Sequence, residues 1–311
     1  MEKSAGIFYA IALLALLIFP SLSRSAYSTT SCKENMEYDY ALVCNKSSFA
    51  LVPQKPNIQK PDKEFRELED AARKGNAEAQ YNLGIMYENG YGVTQNHLRA
   101  VKWYRRAALN EHVAAQYNLG VMYLNGTGVE QNFTTAKNWL QKAAEHDFML
   151  AQHNLGVMYF RGDGVEQNGV DAAKWHLRAA KQGSIGSQCN LGIMYANGFG
   201  VNQNYKLAVS WFRKAAEGGC SGAQHNLAIL YSLGLGVPKD IVRAYMFFYL
   251  AEKNGCFVSV ETRNKVSRKM TTEQIMEAQE MATEWLTNHG LPFDSIQQTQ
   301  EIPENPPVEQ D

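Results

Sequence analysis

The sequence predicts an all-α protein, a solenoid of five 36-residue helix-turn-helix repeats with helical caps. Three observations carry this. A block Ala79-Gln80-Tyr81-Asn82-Leu83-Gly84 returns at residues 115–120, 151–156, 187–192 and 223–228, a step of 36 each time. A second block, Tyr87-x-x-Gly90-x-Gly92-Val93, returns in the same register and ends at Tyr231, Gly234, Gly236 and Val237. Within a unit, Ala79, Leu83 and Tyr87 stand four apart, which stacks them on one face of an α-helix. A single two-helix unit cannot bury its apolar faces alone, so a fixed period of this kind marks an array whose neighbours stack.

Residues 1–25 read as an export signal. Lys3 precedes an apolar run over residues 6–19 closed by Pro20, and Ser21, Ser23, Ser25 and Ala26 offer a processing site, placed after Ser23 or Ser25. The run has 14 residues, whereas a membrane-spanning helix needs ~20, so no span is expected after cleavage; an uncleaved signal anchor is the alternative. Residues 26–60 are polar, with Pro53 and Pro56, and are expected to be a largely disordered linker, as are residues 291–311, rich in Gln, Glu and Pro.

The solenoid is placed at residues 61–290, with repeats near 77–112, 113–148, 149–184, 185–220 and 221–256. In each unit a first helix carries the Ala-Gln block, and Gly84 marks a close helix approach that a Cβ would obstruct. Gly90 suits a left-handed helix end and Gly92 a second sharp turn. Asn96, Asn132, Asn168, Asn204 and Asp240 stand where N-caps of a second helix belong. On that second helix the tryptophans Trp103, Trp139, Trp175 and Trp211, with Phe247 in the last unit, are expected to fill the layer centre beside small alanines. Phe65, Leu68, Ala71 and Ala72 repeat the end of a second helix one period early, an N-terminal cap. Thr271-Thr272-Glu273-Gln274 reads as a capping box opening a C-terminal cap helix at 272–288, with Ile275, Ala278, Ala282, Trp285 and Leu286 along it.

A formal net charge of -1 over 311 residues gives no global attraction to nucleic acid. Of five cysteines, Cys32 and Cys44 lie close together in the polar segment, where a local disulfide is plausible in an oxidising compartment; the odd count leaves at least one thiol free or paired with another molecule. The sequence Gly218-Gly219-Cys220-Ser221-Gly222 mimics a nucleophile elbow but falls between two helices instead of after a strand. The repeated Gly-x-Gly lacks both the third glycine and the strand of a dinucleotide fingerprint. No enzyme activity and no cofactor are expected.

The candidate binding residues are those at which the units differ. Helical geometry puts the positions of residues 81 and 88 on the side of the first helix away from its constant face. They form two rows, Tyr81, Tyr117, His153, Cys189 and His225, then Glu88, Leu124, Phe160, Ala196 and Ser232. A protein or peptide partner lying along these rows would be anchored by their aromatic and aliphatic side chains; burial beneath neighbouring helices is the competing reading. His153, Cys189 and His225 fall in successive units, too far apart for the ~2–2.3 Å bonds of a zinc site, so no metal is expected. Gln80 and Asn82 recur in all units and read as amides held by loop backbone.

The string A-Q-Y-N-L-G-x-M-Y-x-N-G-x-G-V, followed by Asn or Asp, A-x-x-W and a Lys-Ala-Ala ending as at Lys142-Ala143-Ala144, resembles the Sel-one-like repeat family over about residues 61–290. Its period separates it from tetratricopeptide repeats. The resemblance implies a right-handed superhelix of helix pairs and an adaptor that assembles protein complexes, in bacterial envelopes or in the lumen of a eukaryotic secretory pathway. In the latter case Asn45, Asn125 and Asn132 would be glycosylation sequons. A cysteine-rich bacterial branch of the family is linked to β-lactam binding, which makes an envelope β-lactam-binding or hydrolysing protein the alternative. With three cysteines in the array and no pair per unit, this chain departs from that branch.

Overall fold

The computed structural model describes residues 63–290. The expected signal segment 1–25, the linker 26–60, Cys32, Cys44 and the tail 291–311 lie outside the described residues. Among those described there are thirteen helices and no strand. Helix α1 (Lys63–Arg73) precedes five pairs: α2 (Ala77–Asn89) with α3 (His97–Leu109), α4 (Val113–Asn125) with α5 (Phe133–Glu145), α6 (Met149–Arg161) with α7 (Gly169–Lys181), α8 (Ile185–Asn197) with α9 (Tyr205–Glu217), and α10 (Ser221–Leu233) with α11 (Ile241–Lys253). Helices α12 (Val258–Ser267) and α13 (Thr272–Asn288) close the array. Each helix through α12 packs chiefly on its neighbours in the chain, while α13 packs back on α11. Helix α8 also touches α6 and α10, closer than successive second helices approach one another. The first helices therefore line the inner side of the array and the second helices its outer side.

The predicted punctuation is all present. Asn96, Asn132, Asn168, Asn204 and Asp240 each accept from a backbone N–H of the first turn that follows, satisfying donors that a helix start leaves orphaned. Gly90 adopts φ 73°, and its N–H returns to the Met86 carbonyl. The loop is then pinned by the Asn96 N–H donating to the Tyr87 carbonyl at 2.7 Å, a bond repeated in every unit down to Asp240 and Tyr231 at 3.0 Å. The second loop glycine has a reason beyond the turn. A Cβ on Gly128 would lie 2.6 Å from the His97 carbonyl carbon, so this loop presses on the start of the preceding unit's second helix.

The centre of each layer corrects the expectation for tryptophan. The fully buried residues are Tyr104, Leu140, His176, Phe212 and Phe248, one position further along the second helix. They sit against the helix glycines: a Cβ on Gly84 would stand 2.4 Å from the Tyr104 ring, and one on Gly192 2.5 Å from the Phe212 ring. In the last unit Ala228 takes the glycine's place and remains fully buried. A one-residue step turns the side chain by ~100°, which carries Trp103, Trp139 and Trp211 to the half-buried outer edge. There the cation three residues on lies over each ring, Arg106 and Lys142 at 4.7 Å and Lys214 at 4.8 Å. Trp175 and Phe247 are the exceptions and are buried, Phe247 beneath the cap helix with Trp285 edge-on at 5.1 Å.

Units are joined by a polar bond that the sequence suggested only in outline. Gln80 donates through Nε2 to the Ala72 carbonyl at 2.9 Å, and Gln116, Gln152, Gln188 and Gln224 do the same to Ala108, Ala144, Ala180 and Ala216 at 3.1–3.3 Å. Each amide thus adds a second donor to a carbonyl near the end of the preceding helix that already accepts the backbone N–H three residues on. The N-terminal cap buries Phe65 and Ala72, and the C-terminal cap has both halves of its capping box and buries Ala278, Ala282 and Leu286. Helix α12 was not anticipated; no side-chain cap marks its start, and Phe257 enters it already in helical conformation.

If the glycine seat sets the helix spacing, Gly192→Ala lowers stability by about 1–3 kcal/mol through overpacking, and Leu140→Ala lowers the urea midpoint more than Trp139→Ala. Equal or reversed midpoints for the last two would return the tryptophans to the layer centre.

Candidate functional site

The two candidate rows separate in the structure. The row of Tyr81 is a seam between units instead of a groove. Tyr81 is half-buried and stacks on His112 at 4.4 Å, with the Tyr104 ring at 5.8 Å. Tyr117 packs against Phe148 at 5.0 Å, and burial pushes its phenol up to about 12. His153, Cys189 and His225 are buried, at 4%, 0% and 6% exposure, and so are not available to a partner along the inner face. The physical reason is that a first helix is contacted on three sides, by its own second helix, by the preceding one and by the next unit, so its buried arc is wider than a two-helix contact implies.

The buried histidines are held by hydrogen bonds. Asn190 Nδ2 donates to His176 Nε2 at 3.2 Å, so His176 Nδ1 carries the proton and donates to Ser187 Oγ at 3.2 Å. The Ser187 hydroxyl then donates to His153 Nδ1 at 2.8 Å. His225 Nδ1 meets Ser259 Oγ at 2.8 Å, with Phe248 edge-on at 5.3 Å. This order needs neutral rings, and desolvation holds His153 and His225 down to about 4 and His176 well below the usual imidazole value. Cys189 is a free, buried thiol that burial pushes up to about 12, the opposite of an activated nucleophile.

The recurring asparagines are also held differently from the reading above. Asn118 bonds the phenols of Tyr81 and Tyr104, Asn154 that of Tyr117, and Asn190 the His176 ring. Their partners are side chains of the preceding unit, not loop backbone.

The second row stays nearer the surface. Glu88, Leu124, Phe160 and Ser232 are half-buried, while Ala196 is buried. Glu88 accepts from the Tyr104 hydroxyl at 2.5 Å, and Phe160 stands edge-on to Phe199 at 5.1 Å. Beside this row lie positions that sequence reasoning set aside as packing. Val121, Val157 and Ile193 are half-buried on the inner helices, whereas Ile85 and Ile229 at the ends of that row are buried. Leu150 is half-buried and Asn125 exposed. Only the repeat register could have found these, because their chemistry does not distinguish a core position from a surface one. The middle of the inner face is thus an apolar strip of Val121, Leu124, Leu150, Val157 and Phe160. No cluster of three or more His, Cys, Asp or Glu able to hold a metal occurs among the described residues, and no described helix is long and apolar enough to cross a membrane.

Stacked helix pairs, paired loop glycines and an inner face without convergent reactive groups define a helical-repeat scaffold. The chain belongs to the Sel1 repeat family, whose repeat matches residues 77–112, 113–148, 150–184, 185–220 and 221–256. Among solved structures it is similar to c5321, described as a protective antigen of uropathogenic Escherichia coli strains displaying an SLR fold, with 34% identity and TM-score 0.64 over 73% of this chain. The match spans 48% of that protein, about half its length. A Sel1 repeat protein from Oxalobacter formigenes matches with 31% identity and TM-score 0.62, over 71% of this chain and 92% of its own. No curated protein matches. Sel1 repeats generally mediate protein interactions.

The histidines make the fold acid-sensitive in a defined direction. Their folded values lie below the unfolded one near 6.5, so their contribution is present above that pH and is lost as pH falls toward about 4. For one such ring the full difference corresponds to about 3 kcal/mol. Urea midpoints measured between pH 7 and pH 4.5 should fall steeply, and less so for His225→Gln; an equal fall in that variant would place the sensitivity elsewhere.

Proposed function

We propose that the chain is an exported, non-enzymatic scaffold that binds a protein or peptide partner along its inner face and serves as an adaptor in complex assembly. The single observation that carries the partner reading is the contrast within one helix. The Ala, Gln and Leu positions repeat and are consumed by packing, while the neighbouring inner positions change from unit to unit as Glu88, Leu124, Phe160 and Ser232 and stay partly open. A fixed frame with changing side chains suits recognition of an extended segment, whose alternate side chains would meet successive units. The apolar strip from Val121 to Phe160 would supply the anchor, since a few buried aromatic and aliphatic contacts dominate most interfaces. The non-enzymatic reading is supported by the state of the would-be reactive groups, neutral buried imidazoles and a buried thiol of raised pKa. Export is supported by the apolar run at residues 6–19 with its basic start.

Val121→Glu with Val157→Glu should abolish capture of the specific partner while leaving the helical circular dichroism and melting cooperativity intact. Undiminished capture by this double variant would remove the inner face from the proposal. Fractionation of expressing cells should find a chain beginning at Arg24 or Ala26 outside the cytoplasm, and an N-terminus at Met1 in the cytoplasm would overturn export. A covalent penicillin probe should leave the denatured chain unlabelled; saturable labelling would favour the β-lactam alternative.

A further inference from the structure

The charge of this chain is near zero overall but is unevenly shared among the helices, with loop acids such as Asp147 and Asp240 pairing with Arg178 and Arg243. The five second helices, which form the outer side, hold fourteen lysines and arginines against four acidic residues, while the five first helices hold one arginine against two glutamates. Basic residues in a helix's last turn, such as Lys142 and Lys214, need no special reason, because they complement the helix dipole. Arg99, Lys206 and Arg243 lie in the first turns of α3, α9 and α11, where the dipole favours acids. The dipole therefore does not explain them, although Arg243 pairs with its cap residue Asp240 at 3.5 Å and Arg99 reaches the Tyr87 hydroxyl at 3.4 Å. They are exposed, as are Lys102, Arg105 and Lys174 nearby. Tryptophan rings are interleaved with the cations in consecutive units, so the outer face presents a repeating pair of ring and positive charge.

The sequence that follows the last helix has the opposite character. Residues 291–311 carry Asp294, Glu301, Glu304, Glu309 and Asp311 and no lysine or arginine. The place where this segment leaves the fold is fixed by a line of ring contacts. Trp285 stacks on His289 at 4.3 Å and stands edge-on to Phe247 at 5.1 Å, and Phe247 stacks on Tyr231 at 5.7 Å. The Tyr231 hydroxyl accepts from Arg213 at 3.0 Å, and Arg243 lies 5.9 Å from its ring. Gly290 thus leaves the array close to the two most C-terminal second helices, at one end of the basic face. A 21-residue segment spans up to ~70 Å when extended. Packed helices stand ~10 Å apart, so second helices of successive units are at most ~20 Å apart and three units lie within reach.

We propose that residues 291–311 dock in cis on the outer face, their carboxylates pairing with the cations of α11, α9, α7 and α5, and that they shield this face from other acidic chains. The inference is independent of the inner-face reading and uses different residues. Tethering sets a high effective concentration, so contacts that are individually weak suffice to hold the segment.

The test uses full-length protein with a fluorescent poly-glutamate peptide as the probe. The neutral-tail variant carries Asp294→Asn, Glu301→Gln, Glu304→Gln, Glu309→Gln and Asp311→Asn. It should bind the probe at least about 3-fold more tightly than the parent at low salt, a gap that closes as salt screens exposed pairs. Adding Lys142→Glu and Lys214→Glu should remove the gap. Carbodiimide treatment of the parent should join tail carboxylates to Lys142, Lys174 or Lys214 within one chain. Equal probe affinity of parent and neutral-tail protein would overturn the proposal, as would absence of probe binding to both. Cross-links between copies would instead assign the face to a partner in trans, and cross-links confined to lysines elsewhere would assign the tail to another site.

Discussion

The seating of one large side chain on a bare helix backbone is the contact from which the rest of the array follows. Tyr104, Leu140, His176 and Phe212 each occupy the space that a Cβ on the facing glycine would fill. This fixes how closely the two helices of a unit approach, and with it where the loop glycines must turn and where the asparagine caps fall. Because the glycine has no side chain to adapt, the facing residue can differ in every unit without moving the backbone. That freedom is what admits an imidazole at position 176 in a layer otherwise filled by aromatic and aliphatic groups.

Stacking of units depends on a second, polar constraint. The Gln80 type of bond reaches a carbonyl at the end of the preceding helix, and Asn110, Gln182 and Asn254 in turn donate to the glutamine oxygens of Gln80, Gln152 and Gln224 at 2.8–3.0 Å. Where both ends of the amide are bonded, as at Gln80, Gln152 and Gln224, it gives direction to an interface that apolar packing alone would leave free to slide, whereas the buried Gln116 oxygen has no such donor. The seam at the row of Tyr81 is built on the same logic. Its side chains change along the array, from Tyr to His to Cys, but each change is matched across the seam: Tyr81 faces His112, Tyr117 faces Phe148, and His153 faces Ser187. In this row a change of side chain is met by a different neighbour across the seam.

This explains how much could be read from the sequence. The caps at Asn96 and Asp240, the αL glycines and the close approach at Gly84 were legible because each depends on a residue whose backbone or capping chemistry is local. The layer centre was misplaced by one residue, since Trp103 and Tyr104 are both large and aromatic and only the observed helix phase shows which one faces the glycine. The burial of His153, Cys189 and His225 in the first candidate row has a different reason. A helical wheel gives direction from the axis, whereas burial at His153 and His225 is set by a third helix that the wheel does not contain. Glu88, Leu124 and Phe160 kept their partial exposure because they lie near the loop end, away from that third contact.

The two faces of the array therefore differ in what recognition on each would require. The inner face is short of charge and offers an apolar strip, so binding there would draw on area and shape and would tolerate salt. The outer face offers exposed basic side chains whose charged ends lie over tryptophan rings. Binding there would be fast, salt-sensitive and tolerant of sequence. A scaffold with such unlike faces can hold one partner by fit while a second, acidic chain comes and goes. On the proposal made above, an acidic partner in trans would compete with the acidic segment beyond Gly290 for these cations.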